Sequence, residues 1–250
     1  MPHHPLAIRL YEPLIEHALA RHAAPFEPRP REVACFLVGA QIRTLTYAAV
    51  LASWHEAGFA KLNLRQTEWP REGAQARYFA AFAPRFLTGD PISFAEMLRL
   101  DLPATPSALV TTSVAMSPQL RSRLSERYAA PVIDWYSLVE TGPIGYRCPR
   151  SDAYHVLPPD VHVEALQADG ASCSPGERGE ITITGGRNPF SPLVRYRTVT
   201  GAASTTRRAS AATRCRGSWS SKAGCRYSSA RRMARRYRRS ISHAFSASIR

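Results

Sequence analysis

Acidic residues disappear from the last fifth of this chain. From Gly201 to Arg250 there are 13 lysines and arginines and not one aspartate or glutamate. The full sequence carries 33 basic and 19 acidic residues, a net charge of +14. Residues 1–200 therefore hold 20 basic against 19 acidic groups and are almost neutral. A uniformly basic domain would indicate a phosphate-binding surface, whereas a neutral body with an abrupt basic end does not. Cysteines are also few. The five (Cys35, Cys148, Cys173, Cys215 and Cys225) are scattered without a CxxC pair, which argues against a secreted disulfide framework. No run of about 18 apolar residues occurs. The start, "MPHHPLAIRLYEPLIEHALARH", lacks the basic segment and uninterrupted apolar stretch of a secretory signal. The expectation is a soluble cytoplasmic protein with no membrane partner, and 250 residues suffice for a hydrophobic core.

Helix and strand signals alternate through the body. Leu10, Leu14, Ile15 and Ala18 recur at helical spacing, with Pro13 in a first turn. "EVACFLVG" is a short apolar run of the kind buried on both faces of a sheet. "TLTYAAVLASWHEAG" reads as a helix stopped by Gly58, "FAKLNL" as a strand, "GAQARYFAAFA" as a helix and "RFLTG" as a strand. "SFAEMLRL" reads as a helix whose capping box pairs Ser93 with Glu96. "SALVTTS" is a strand, "SPQLRSRLSERYA" a helix capped by Ser117 with Pro118 at its first position, and "PVIDWYS" another strand. This alternation implies an α/β fold with a mostly parallel sheet flanked by helices. From about Asp160 the strands "VHVEAL", "GEITIT" and "LVRYR" predict a small β-rich subdomain.

Ligands of α/β sheets gather at the carboxyl ends of the strands. Two such ends carry polar chemistry: "VTTS" at 110–113, and "DWYSLVETGP" from Asp134 to Pro143. Glu140 could hold Mg²⁺, which keeps several waters and takes one or two protein carboxylates. Tyr136 offers a flat face to a purine. Both also read as plain surface residues. Cys148 and His155, with His162 as a third candidate, have the chemistry of half a zinc site, which needs four ligands. The alternative is an unliganded cysteine and surface histidines.

Three stretches in the correct order resemble the adenylate-forming enzymes, in particular the branch related to phenylacetate–CoA ligase. They are "FAPRFLTGDPISF", "ALVTTSVAMSPQLRSRLSERYAAPVIDWYSLVE" and "ERGEITITGGRNPFSPLVRYRT". The second leads into the position of the family's Tyr-Gly-x-Thr-Glu motif and the third into Pro-Leu-x-Arg-Tyr-Arg-Thr-Gly-Asp. The resemblance covers roughly residues 80–198. It implies a ligase that joins a small carboxylic acid to AMP from ATP and passes the acyl group to coenzyme A, with Mg²⁺. Carried across, Tyr136 would stack on adenine, Glu140 would bind Mg²⁺, and Thr112 and Ser113 would sit near the nucleotide or acyl group. Ser137 stands where the family has glycine and Val139 where it has threonine, so a hydroxyl expected near the α-phosphate is missing.

The family's Ser/Thr/Gly-rich phosphate loop finds no counterpart. "TTS" at 111–113 is too short and "TGG" at 184–186 lies in the wrong region. "MPHHPLA" reads as sequence that follows such a loop, and no lid with its catalytic lysine is found. After "RYRT" the family's Gly-Asp is replaced by Val199-Thr200. One synonymous GC-rich codon set for Val199 to Thr206, with a single G restored, reads Gly-Asp-Arg-Gly-Arg-Leu-Asp-His. The expectation is a partial adenylate-forming domain at 1–198, inactive alone, followed by an out-of-frame, disordered basic tail at 199–250. The competing class is a nucleic-acid binder acting through that tail, by the electrostatics of any disordered polycation.

Overall fold

The computed structural model describes residues 4–157 and 160–203. Of the basic tail expected at 199–250, residues 199–203 are ordered in a strand, and residues 204–250, with any binding of nucleic acid by them, lie outside the described residues. No helix among the described residues is long and apolar enough to cross a membrane. The chain divides into two compact units. One comprises residues up to Tyr154 together with Arg187–Ser191, and the other the remainder from His155.

A mostly parallel sheet has the order β2-β3-β1-β4-β5-β6-β7-β8, of which β1 to β7 and Tyr154 of β8 belong to the first unit. Its strands are β1 (Val33–Gly39), β2 (Tyr47–Leu51), β3 (Ala57–Asn63), β4 (Phe86–Gly89), β5 (Leu109–Thr111), β6 (Val132–Leu138), β7 (Gly142–Arg147) and β8 (Tyr154–Val156). Strands β1, β3, β4, β5 and β6 run parallel, while β2 and β7 pair antiparallel with β3 and β6. Successive side chains of a strand point to opposite faces. Phe36 and Leu87 thus enter the main core with Phe79, Phe94, Met97, Leu109 and Leu124. These come from α3 (Ala74–Phe82), α4 (Pro91–Arg99), β5 and α5 (Pro118–Tyr128). Phe86, of opposite parity to Leu87, meets Phe26 and Trp54 edge-on at 5.2 and 5.8 Å.

Helix α1 spans Pro5–Arg9 and α2 spans Tyr11–Arg21, which buries Leu14, Ala18 and Leu19. Pro13 falls in the first turn of α2, where its missing N–H costs no helical bond. Trp54 donates from Nε1 to Glu16 of this helix at 3.0 Å. His17 and His22 each lie edge-on to Tyr146 of β7 at 5.8 Å. Burial, and then the charge of Arg21, lowers the pKa of His17 below its ordinary 6.5. His22 is also lowered, chiefly by burial, although its bond to the Ala18 carbonyl opposes the shift. The unfolded chain therefore binds more protons than the folded one as pH falls below about 6.5, so stability falls with it. A lower urea midpoint is expected at about pH 5 than at about pH 7.5. The decline should be smaller in His17→Gln and His22→Gln, and an unchanged pH slope in both variants would count against this account.

Two local readings are corrected. "TLTYAAVLASWHEAG" does not form a helix. Tyr47–Leu51 is β2, and a 3₁₀ turn at Ala52–Trp54 leads to β3. The alanine-rich stretch satisfies either period, and pairing with β3, including Tyr47 against Phe59 at 5.8 Å, selects the strand. Helix α4 starts before Ser93. Asp90 is its N-cap and accepts from the Ser93 N–H at 2.7 Å, with Pro91 next. Ser93 is instead fully buried in the first turn.

The second unit contains an antiparallel sheet of order β11-β10-β9, with β9 at Val161–Leu166, β10 at Arg178–Gly185 and β11 at Leu193–Ala203. Ile181, Ile183, Leu166 and Cys173 are buried. Gly179 is needed where it stands, since a Cβ there would lie 2.6 Å from the Leu166 carbonyl oxygen and nearer still to Cys173 Sγ. Strand β11 continues past Thr198, pairing Gly201, Ala202 and Ala203 with Glu180, Gly179 and Arg178. A ladder of backbone groups is indifferent to which side chains it carries. The Glu180 carboxylate, which accepts from Val199 N–H at 2.8 Å and from Arg197, spans the register shift. These bonds also hold the Glu180 pKa below its ordinary value.

Candidate functional site

The carboxyl ends of β4, β5 and β6 lie side by side in parallel register, with Gly89 opposite Thr111 and Thr111 opposite Asp134. Only glycine fits at 89, where a Cβ would meet Val38 Cγ2 at 2.8 Å and the Val38 carbonyl oxygen at 2.9 Å. Close packing of β1 on β4 thereby aligns the strand ends. Thr112 follows β5 and donates its N–H to the Gly89 carbonyl at 3.0 Å. Its Oγ1 stands 3.5 Å from Ser137 Oγ, so the structure brings these two residues together from 25 positions apart. Ser113, the next residue, is exposed and adopts φ +78°. Positive φ in a serine is uncommon, and such strain is concentrated at functional positions.

Tyr136 and Ser137 lie within β6 rather than in the following loop. The strand returns as a hairpin into β7. Register slips between Tyr136 and Ser137, and Ile144 is the extra residue on β7, a bulge of the kind that re-aims neighbouring side chains. Val139 and Glu140 occupy the turn, Val139 at 67% exposure and Glu140 half-buried. Gly142 closes it at φ +71°, a left-handed conformation that suits glycine. Arg187 donates from Nη1 to the Pro143 carbonyl, and Tyr11 lies against Gly142. Burial, partly offset by Arg187, raises the Tyr11 pKa.

Behind the strand end, Asp134 forms an ion pair with Arg121 of α5 at 3.1 Å, both side chains being mostly buried. Arg121 also donates to the Val132 carbonyl at 3.3 Å. Tyr154 donates to Asp134 and meets the Tyr136 ring edge-on at 6.4 Å. Burial first, and then Asp134, pushes the Tyr154 pKa well up. The tyrosine thus stays neutral and holds Tyr136 from one side. Neither Arg121 nor Tyr154 was a sequence candidate. The Arg121–Asp134 pair spans 13 residues and follows no helical or strand period, and Tyr154 comes from β8, beyond the β6–β7 hairpin.

The zinc set is not assembled. Cys148 lies just after β7, where its N–H donates to the Ala153 carbonyl at 2.7 Å. His155 is a buried residue of β8, and His162 is exposed on β9. No group of three or more His, Cys, Asp or Glu residues that could hold a metal is found among the described residues. Mg²⁺ makes a smaller demand. A single carboxylate such as Glu140, with waters and ligand phosphates, fits its chemistry.

No protein-family model matches this sequence, and no curated protein matches it. Solved structures do. The chain is similar to 2-hydroxyisobutyryl-CoA ligase in an open conformation in complex with 2-HIB-AMP and CoA, at TM-score 0.52 and 16% identity. That match covers 75% of this chain and 44% of the other. It is also similar to the N-terminal subdomain of Klebsiella oxytoca NpsA in complex with 3-hydroxyanthranilyl-AMSN, at TM-score 0.50 and 16% identity, covering 70% and 50%. The chain spans about half the length of these proteins or less. Over that span, it has the fold of the adenylate-forming acyl-CoA and aryl ligases.

Proposed function

We propose that this chain is part of an ATP-dependent carboxylate–CoA ligase of the phenylacetate–CoA ligase-like branch, and that it supplies one wall of the nucleotide site. The observation that carries this reading is the meeting of Thr112 and Ser137 at the ends of adjacent parallel strands, 3.5 Å apart. There, ligands of α/β sheets collect. In this reading residues 1–198 form the partial adenylate-forming domain. Tyr136 presents its ring to the adenine, held by Tyr154. Thr112 and Ser113 offer hydroxyls to the phosphate or acyl group, and Ser137 closes the gap between the strand ends. Glu140 would hold Mg²⁺, which neutralises phosphate charge when bound. The substrate is a small carboxylic acid, made electrophilic as its acyl adenylate before coenzyme A accepts the acyl group.

AMP binding to the full chain tests the wall directly. Tyr136→Ala is expected to weaken it by roughly tenfold, the scale of one base–aromatic stack. Ser113→Gly, which keeps the positive φ but removes a hydroxyl offered to the phosphate, should weaken it roughly threefold to tenfold. Acid-dependent pyrophosphate exchange is expected to be absent for this chain by itself. Exchange at a normal ligase rate would overturn the inactivity. AMP binding untouched by Tyr136→Ala would overturn the assignment of the wall.

A further inference from the structure

The amino end of β6 holds a second polar site. A cavity of about 630 Å³ opens between α5, the first residues of β6 and the turn after β7. Arg121, Ser122 and Ser125 line it from α5, Arg147 from the end of β7, and Arg150 and Asp152 from the turn. The helical residues lie within one turn of each other and share a face.

Charge in this cavity is unbalanced. Three guanidinium groups face one lining carboxylate, Asp152, with Asp134 behind Arg121. Arg121 is fixed in place by Asp134 and the Val132 carbonyl. Arg147 pairs with Asp152, but the two differ sharply in exposure: 26% for the arginine side chain and 90% for the aspartate. Burial, and then the charge of Arg121, lowers the pKa of Arg147. An ion pair with so exposed a partner is screened by water and contributes little. Asp152 is therefore a readily displaced counterion on a partly desolvated cation.

We propose that this cavity binds a phosphomonoester. The phosphate would take the place of Asp152 on Arg147, with Arg150 and the Ser122 and Ser125 hydroxyls as further donors. Guanidinium forks match phosphate oxygens in two-pronged geometry, and such charge-assisted bonds are the strong ones. The volume falls in the range of small-molecule sites, about 300–1,000 Å³. That is more room than free phosphate needs, so an organic phosphate is favoured over the inorganic ion.

Calorimetric titration of the full chain with phenyl phosphate, inorganic phosphate and benzoate tests this. Saturable binding is expected for phenyl phosphate, with inorganic phosphate weaker and benzoate weaker by roughly tenfold or more. Arg147→Gln should weaken phenyl phosphate roughly tenfold, and the exposed Arg150→Gln roughly threefold to tenfold. Asp152→Asn should tighten it roughly twofold to fivefold by removing the competing carboxylate. That residue is too exposed for its loss to unfold the protein. No saturable binding would overturn the proposal. So would binding indifferent to both Arg150→Gln and Asp152→Asn, which would place it elsewhere, the arginine-rich residues beyond Ala203 included.

Discussion

Replacing Asp134 by alanine is expected to destabilise the first unit by about 3–5 kcal/mol, the scale of leaving one partner of a buried ion pair uncompensated. Only 18% of the Arg121 side chain and 10% of that of Asp134 is exposed. Removing the carboxylate strands a guanidinium that water cannot fully reach. Exchanging both residues for apolar ones of similar size, Arg121→Met with Asp134→Leu, should recover most of the loss, because no buried charge then remains. Urea unfolding at neutral pH reads both. A single variant as stable as the parent, or a double variant no better than the single, would show that the pair is not an energetic unit. The same substitution has a spectroscopic consequence. Tyr154 is raised by burial and by Asp134, so absorbance titration of Asp134→Ala should find its phenol ionising at lower pH than in the parent. Tyr136, which rests against Tyr154, would lose part of its support, and the AMP affinity proposed for it should fall.

Phe36→Ala should also cost about 3–5 kcal/mol, the range for truncating a buried aromatic. Phe36 is fully buried on β1. It stacks on Tyr78 at 5.5 Å and meets Phe79 edge-on at 5.2 Å. Truncation leaves a cavity where the sheet and α3 are joined. A double-mutant cycle with Phe79→Ala should return coupling of about 0.5–1.5 kcal/mol, the aromatic contribution beyond buried area. Additive losses would mean that the rings act only through the area they bury. Because β1 aligns β4 through Gly89, thermal or chemical loss of this core is expected to abolish the proposed AMP binding in the same transition.

The strands that bury both faces were legible because their composition admits no other reading. "VACFLVG" is apolar throughout and becomes β1, whereas β9 and β10 alternate polar and apolar residues and are only partly buried. Helix α5 was legible from its cap, Ser117 before Pro118, because two local rules agree there. Where local rules tied, sequence alone misled. Around α4, Asp90 and Ser93 each offer a capping spacing, and the burial of Ser93 decides between them; Pro91 at the first helical position was the overlooked signal. Around β2, an alanine-rich run has no period of its own until β3 supplies hydrogen-bond partners.

The candidate site divides along the same line. Of its residues, Thr112, Ser113, Tyr136 and Glu140 could be singled out because they sit near predicted strand ends, and Ser137 because the family resemblance marks its position. Charge was equally legible, since the contrast between a neutral body and an acid-free end is a property of composition. Which of these groups touch was not. Thr112 and Ser137 meet only because β5 and β6 are parallel neighbours. Arg121 and Asp134 pair only because α5 packs back across β6, and the cavity at the amino end of β6 exists only because β7 returns Arg147 to the same place. Sequence determines what each short segment can bury. Contacts between distant segments depend on register and packing, whose free energy no single segment contains, and there the tertiary structure alone decided.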